Sequence, residues 1–314
     1  MPIVFALGAK IESLPFDSFL GNPTKICNAL RQIRGYLRTD GVSCYFDPYL
    51  ELEVLGAQVK RSSADAAPDI SWPGRAASGE LPEGLVSADE AMHNPRVNMA
   101  VDVIRRLKAM LRDEPLLMAG VTGPLTLASR LTQMNPAEPL QVQNLPMDAL
   151  DVSSAVFASL VRTFAEAGAN VIIIQEDVNP VLSEDDRTTW MSTLESACNV
   201  IRFYEALPVL LLNHDCWLED EFSWMSTHHW NSVVTPMVKE NTVTSPGKFG
   251  RSTVGLTIPP SLFSSGSTPG GDTLAWLRET VRSIRPAVIT TAGDVPASID
   301  VKALAHTLSE ASRS

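Results

Sequence analysis

The sequence predicts an α/β protein, a single-domain (β/α)8 TIM barrel with long loops over the C-terminal face of its strands. Three observations carry this expectation. Short apolar runs alternate with helix-like stretches along most of the chain. Some runs, Val171-Ile-Ile-Ile174 above all, are apolar at every position, as parallel strands covered on both faces are. Seven or eight such units in 314 residues fit a closed barrel better than an open doubly wound sheet, and no GxGxxG follows any strand.

Residues 1–40 read as an N-terminal extension and helix. The turn Thr39-Asp-Gly41 leads into a strand over Val42–Phe46. Residues 62–90, rich in Ala, Ser, Pro and Gly, read as a loop insertion over one mouth of the barrel. An amphipathic helix over 97–112 precedes the strand Leu116–Val121, and Gly123-Pro-Leu-Thr-Leu-Ala-Ser129 looks like a loop entering a helix. Val156, Leu160, Val161, Phe164 and Ala165 recur at helical spacing in 151–168, with Gly168 placed to cap the C-terminus. The strand Val171–Ile174 and a helix over 184–206 follow. Further strands are expected at Val209–Asn213, Ser232–Val234, Thr253–Ile258 and Ala287–Thr291, with helices over 272–284 and 300–312. Residues 236–252 and 262–272 read as further long loops.

Composition narrows the partners. A net charge of −11 argues against nucleic acid and against anionic membrane surfaces. No stretch approaches the roughly 20 apolar residues of a bilayer span. The start, MPIVFALGAKIESL, has one short apolar run but no basic start and no clear cleavage site, and so does not read as a secretory signal. Cys27, Cys44, Cys198 and Cys216 are scattered without a CxxC pair, which fits reduced thiols in a cytoplasmic protein.

Chemistry in such a barrel sits where the strands end. Those ends carry Asp47, then Thr122-Gly123-Pro124, then Gln175-Glu176-Asp177, then His214-Asp215-Cys216, then Asp294. His214 and Cys216 are two residues apart at the end of an apolar run, so an extended backbone turns both to one side. An imidazole and a thiolate so placed can hold zinc and leave a position open for substrate. The competing reading makes Cys216 a small buried residue and His214 a hydrogen-bonded core residue. Asp47 and Asp294 can instead be helix caps, Ser298 being better placed than Asp294 for the last helix. Of the adjacent Glu176 and Asp177, at most one faces inward. The turn Gly123-Pro124 offers free backbone N–H groups for substrate. His228-His229 stand away from any strand end and read as structural.

Five segments together resemble the uroporphyrinogen decarboxylase superfamily. They are Asp47-Pro-Tyr-Leu-Glu-Leu-Glu-Val-Leu-Gly56, Gly120-Val-Thr-Gly-Pro-Leu-Thr-Leu-Ala-Ser129, Ala167-Gly-Ala-Asn-Val-Ile172, the HxC segment and Ala292-Gly-Asp-Val-Pro296. The resemblance implies a (β/α)8 barrel. It also implies one of two chemistries: cofactor-free porphyrinogen decarboxylation, or zinc-dependent methyl transfer with corrinoid proteins, coenzyme M or folates. The decarboxylase branch fits poorly: Arg31-Gln-Ile-Arg34 only faintly echoes its basic motif, and Ser129-Arg-Leu-Thr132 stands where its tyrosine is expected. Asp47 does match the decarboxylase aspartate.

The methyltransferase branch fits better. His214 and Cys216 match its zinc-binding pair, and Asp294 stands about where its later cysteine is expected. The resemblance therefore implies zinc held by His214, Cys216 and Asp294, with Glu176 as a further candidate. Asp47, Glu176 and His214 are the candidate catalytic residues, and Gly123, Pro124 and Gln175 the candidate substrate contacts. The expected function is a zinc-dependent methyltransferase or demethylase moving a methyl group between a small-molecule donor and a tetrahydrofolate, thiol or corrinoid acceptor. The alternative is a cofactor-free decarboxylase of a carboxylated small molecule. A corrinoid would have to arrive on a separate corrinoid protein, and related barrels suggest a homodimer.

Overall fold

Seven apolar runs of the sequence become strands of one sheet, ordered in it as they follow one another along the chain. The computed structural model describes residues 1–74, 78–112, 114–135, 138–212, 232–236, 253–258, 271–284 and 286–312. In chain order the strands are β1 (Gly41–Tyr45), β2 (Gln58–Lys60), β3 (Asp69–Ser71), β4 (Leu116–Thr122), β5 (Leu140–Gln141), β6 (Val171–Glu176), β7 (Pro180–Val181), β8 (Leu207–Leu212), β9 (Ser232–Pro236), β10 (Thr253–Ile258) and β11 (Val288–Thr291). Seven of them form a sheet in the order β1-β4-β6-β8-β9-β10-β11, and all its pairings are parallel.

The sheet curls. Met118, Val171, Ile173, Val209, Leu211, Val234, Val288 and Thr290 line one interior space, so β4 and β11 face each other across it. Register puts Gly120 beside Ile173, Thr122 beside Gln175, and Gln175 beside Leu211, which continues the interior face up to the strand ends. A Cβ on Gly120 would lie 2.2 Å from the Phe46 ring. The bare glycine is what lets that ring enter the barrel.

Helices wrap the sheet. They are α1 (Leu7–Ile11), α2 (Phe16–Leu20), α3 (Pro23–Leu37), α4 (Leu50–Val54), α5 (Ala88–Ala91), α6 (Pro95–Leu111), α7 (Pro124–Leu131), α8 (Met147–Ala167), α9 (Glu184–Phe203), α10 (Gly271–Ile284) and α11 (Val301–Ser312). Their starts follow sequence signals. Asn22 and Asn94 cap helices that carry proline in the first turn, and Ser183 closes a capping box with Asp186. Helix α8 ends at Gly168 with φ of 106°, the left-handed cap expected there. Arg31 lies exposed on α3, as a helix surface residue. The final helix is capped by Asp300, whose Oδ1 accepts from Lys302 N (2.8 Å), rather than by Asp294 or Ser298.

Two expectations are corrected. The sheet has seven strands among the described residues, and no ladder joins β11 to β1. The apolar N-terminal run instead passes the edge of β11. The Met1 amine donates to Ile289 O, Ile3 N donates to Thr291 Oγ1 (3.0 Å), and Val295 N donates to Ile3 O (2.8 Å). Two of these bonds reach a side chain or the loop beyond the strand, so no regular closing strand forms. The insertion 62–90 is also not all loop. Asp69–Ser71 pairs antiparallel with Gln58–Lys60 in a hairpin, whose short polar strands leave little apolar signal.

Cys27, Cys44 and Cys198 are free thiols buried in the core. Burial raises the thiol pKa of Cys27 to about 11 and of Cys198 to about 12, and raises that of Cys44 further still. None of the described helices is long and apolar enough to cross a membrane.

Candidate active site

The ends of β1, β4 and β6 enclose a crevice lined by Phe46, Asp47, Pro48, Gly120, Val121, Thr122 and Gln175. Strand alternation decides which side chains reach it. Val171 and Ile173 face the barrel interior, so Gln175 does too, and Glu176 is turned outward toward the helices. Gln175 donates from Nε2 to Asp177 Oδ1 (2.7 Å), which orients its carboxamide and leaves the carbonyl oxygen as an acceptor.

Glu176 is wholly buried behind the crevice. It accepts from Leu125 N (3.2 Å), Thr126 N (2.8 Å), Thr126 Oγ1 (2.6 Å) and Trp190 Nε1 (3.2 Å). Its carboxylate thus sits on the N-terminus of α7 and ties it to α9, where the helix dipole favours negative charge. Burial still pushes its pKa up to about 7, against the pull of these donors. Gly123 and Pro124 begin α7 beside it. A Cβ on Gly123 would come 2.3 Å from the Glu176 carboxyl carbon, so this glycine makes room for the carboxylate. Glu51 plays a matching part at the end of β4. It accepts from Thr122 N (2.7 Å) and Thr122 Oγ1 (3.0 Å), and burial raises its pKa.

Asp47 reaches the crevice but is not free. Its side chain is 1% exposed, and Arg61 Nη2 bonds both oxygens at 3.1 and 2.8 Å. Arg96 Nη2 adds a contact to Oδ2 at 2.8 Å, and Tyr49 N donates to Oδ1 at 3.1 Å. Both arginines also pair with Glu53, and Arg61 reaches Asp17. A third arginine, Arg130 of α7, pairs with Asp177 (2.8 Å), donates to Pro48 O and lies 5.3 Å from the Tyr49 ring centre. Nothing in the sequence marks these three arginines. They come from the end of β2, the start of α6 and the end of α7, and only tertiary packing gathers them.

Asp294 follows β11. Its Oδ2 accepts from Ala6 N at 2.6 Å, while Oδ1 is buried and has no hydrogen-bond partner among the described residues. Burial lifts its pKa to about 8; the nearby backbone of Ala6, Phe5 and Val295 opposes the rise, and the charge of Asp47 adds to it. His214 and Cys216 lie outside the described residues, as do His228 and His229. Among the described residues, no group of three His, Cys, Asp or Glu is close enough to hold a metal ion. The fit of zinc can still be tested at Asp294. A buried carboxylate oxygen with no donor is costly in its charged form; the proton that the raised pKa favours relieves that cost, and a cation would do so too.

The comparisons with known proteins agree with this architecture. The uroporphyrinogen decarboxylase (URO-D) family model matches residues 7–215, more than half of the chain, and the chain belongs to that family. The matched region takes in Asp47, Gln175, Glu176 and His214 but stops short of Cys216 and Asp294. Among solved structures, a methyltransferase from Methanosarcina mazei superposes with a TM-score of 0.75 at 14% identity, over 99% of this chain and 91% of that one. A B12-independent methionine synthase from Shewanella sp. W3-18-1, in complex with selenomethionine, gives a TM-score of 0.53 at 12% identity, over 91% of this chain and 86% of that one. At such identities the likeness is one of fold. A search of curated protein sequences finds no match.

Proposed function

We propose that the protein is a zinc-dependent methyltransferase or demethylase, moving a methyl group between a small-molecule donor and a folate, thiol or corrinoid acceptor. The observation that carries this reading is the buried, unpartnered Oδ1 of Asp294 at the end of the last strand. His214 and Cys216, at the end of β8, would supply the other ligands. Bound zinc would act as a Lewis acid on the heteroatom that gives or takes the methyl group. The likeness of fold to two methyl-transferring proteins supports the same reaction class.

The chain's own residues then have distinct parts. Gln175 offers a fixed carbonyl oxygen to an N–H-bearing substrate group. Thr122 and Phe46 shape the crevice beside it. Glu176 and Glu51 hold the ends of β6 and β4 in place without touching substrate. Decarboxylation is less well supported, because it asks Asp47 to meet a developing cation. Both Asp47 oxygens already accept from Arg61, and Arg96 and Tyr49 N fill them further.

Elemental analysis of protein from zinc-replete growth tests the proposal. The expected result is about one zinc per chain, lost in Cys216→Ser and weakened in Asp294→Asn. Wild-type protein without zinc would remove the reading. Abolition of a decarboxylase activity by Asp47→Asn would install the alternative.

A further inference from the structure

All strands of the main sheet run the same way, so the turns from helix to strand collect on one face of the barrel, opposite the crevice. Eight large apolar side chains stand exposed among the described residues, and five of them lie on that face. Tyr36, Met110 and Phe203 stand in the last turns of α3, α6 and α9, and Leu116 and Leu207 begin β4 and β8. Such a gathering of apolar surface marks a site of contact more than scattered exposed residues do. Two features of the face are complementary. On the β8 side is a knob. The Phe203 ring, 79% exposed, stands edge-on against Tyr204 at 5.2 Å, and the Tyr204 hydroxyl donates to Glu166 at 3.5 Å. On the side of the open seam between β11 and β1 is a cleft of about 1170 Å³ between the ends of α3, α10 and α11. The exposed Tyr36 and Leu116 stand in its wall with Leu37, Val281, Ile289 and Leu308.

We propose that the protein pairs with a second copy of itself through this face, the Phe203 knob of each copy entering the cleft of the other. In the sheet order β8 stands midway between β1 and β11, so knob and cleft lie on opposite sides of the face. A two-fold axis lying in the plane of contact therefore sets each knob over its partner's cleft, and the pair closes on itself. Charge agrees with the fit. The knob carries Glu166, Glu205 and Arg202, and the cleft carries Arg38, Arg282 and Asp40, so two acids and a base meet two bases and an acid. A rigid aromatic ring seated in a partner's pocket is the kind of anchor that carries such an interface. The strand-end crevices of both copies then open outward, away from the contact, and stay free for substrate. The pairing does not depend on the zinc reading.

Analytical ultracentrifugation of the full chain at micromolar concentration tests this, with circular dichroism to check that each variant is folded. The expected result is a dimer in wild type whose affinity falls about 30-fold or more in Phe203→Ala, the effect of truncating an interface anchor. Glu205→Arg should also weaken the pair, and Arg38→Glu added in the same chain should restore it. A monomeric wild type overturns the proposal. A dimer that neither Phe203→Ala nor Glu205→Arg weakens is built on another face and overturns it too. A weakening by Glu205→Arg that Arg38→Glu does not relieve overturns the seating of knob in cleft.

Discussion

Gly123→Ala reads out how closely α7 is fitted to Glu176. The added Cβ would lie 2.3 Å from the carboxyl carbon and 2.4 Å from Oε1. Comfortable contact between such atoms is about 3.5 Å, so the carboxylate must retreat by about 1 Å. Oε1 now accepts from Leu125 N and Trp190 Nε1, each at 3.2 Å, and that retreat breaks both bonds. Hydrogen bonds to a charged group contribute about 1.5–3 kcal/mol each, so the loss is about 3 kcal/mol or more. Backbone strain adds nothing, because Gly123 has φ of −68° and ψ of 157°, which alanine adopts freely. Denaturant unfolding of Gly123→Ala, Glu176→Ala and the double variant at pH 8 measures it. With Glu176 gone the methyl group has room, and its cost should fall to within about 1 kcal/mol of zero, the ordinary difference between glycine and alanine at a helix N-cap. Equal cost in both backgrounds would refute the steric account, as would a loss below about 0.5 kcal/mol in wild type.

Two further outcomes follow from the same geometry. Glu176 has a pKa of about 7 when folded against an ordinary 4.5, so the folded state holds the extra proton between those values. Its contribution to stability is therefore greatest at low pH, declines as pH rises from about 4.5 to about 7, and is flat above; the total is roughly 3 kcal/mol. Unfolding curves across pH for wild type minus Glu176→Gln should show that fall, and a flat difference would refute it. Asp47→Ala leaves the guanidinium groups of Arg61 and Arg96 to Glu53, Asp17 and, for Arg96, the Leu20 carbonyl, and should destabilise the protein by about 3–5 kcal/mol. A loss below about 1 kcal/mol in denaturant would show the cluster to be loosely coupled.

The strands were legible because parallel strands buried on both faces are apolar throughout, and all seven runs read as strands are strands of the sheet. That same uniformity hid their parity. Nothing in Val171–Ile174 tells which of Gln175 and Glu176 faces the interior, and only the packed sheet shows that it is Gln175. The cap at Gly168 and the polar strand ends were readable from local rules. The arginines around Asp47 and the bonds that Asp65 accepts from Ala297 N and Ser298 N were not. Arg61 and Arg96 lie 14 and 49 residues from Asp47, and Asp65 lies 232 residues from Ala297. No periodicity links such pairs, and surface charges carry no record of the partner they will meet. The seam escaped for a related reason. Pro2-Ile-Val-Phe-Ala6 has the composition of a strand, but its bonding is decided by a side chain and a loop at the far end of the chain.

The burial of Cys27, Cys44 and Cys198 has a practical sequel. Their thiols are shielded from solvent and held protonated far above neutral pH, so alkylating reagents have no purchase on them while the protein stays folded. Any label taken up by the native chain reports on Cys216, with no need to engineer the others away. The fold thus supplies its own single-thiol background, in which the rate of modification with and without added metal becomes a direct gauge of what that one sulfur is doing.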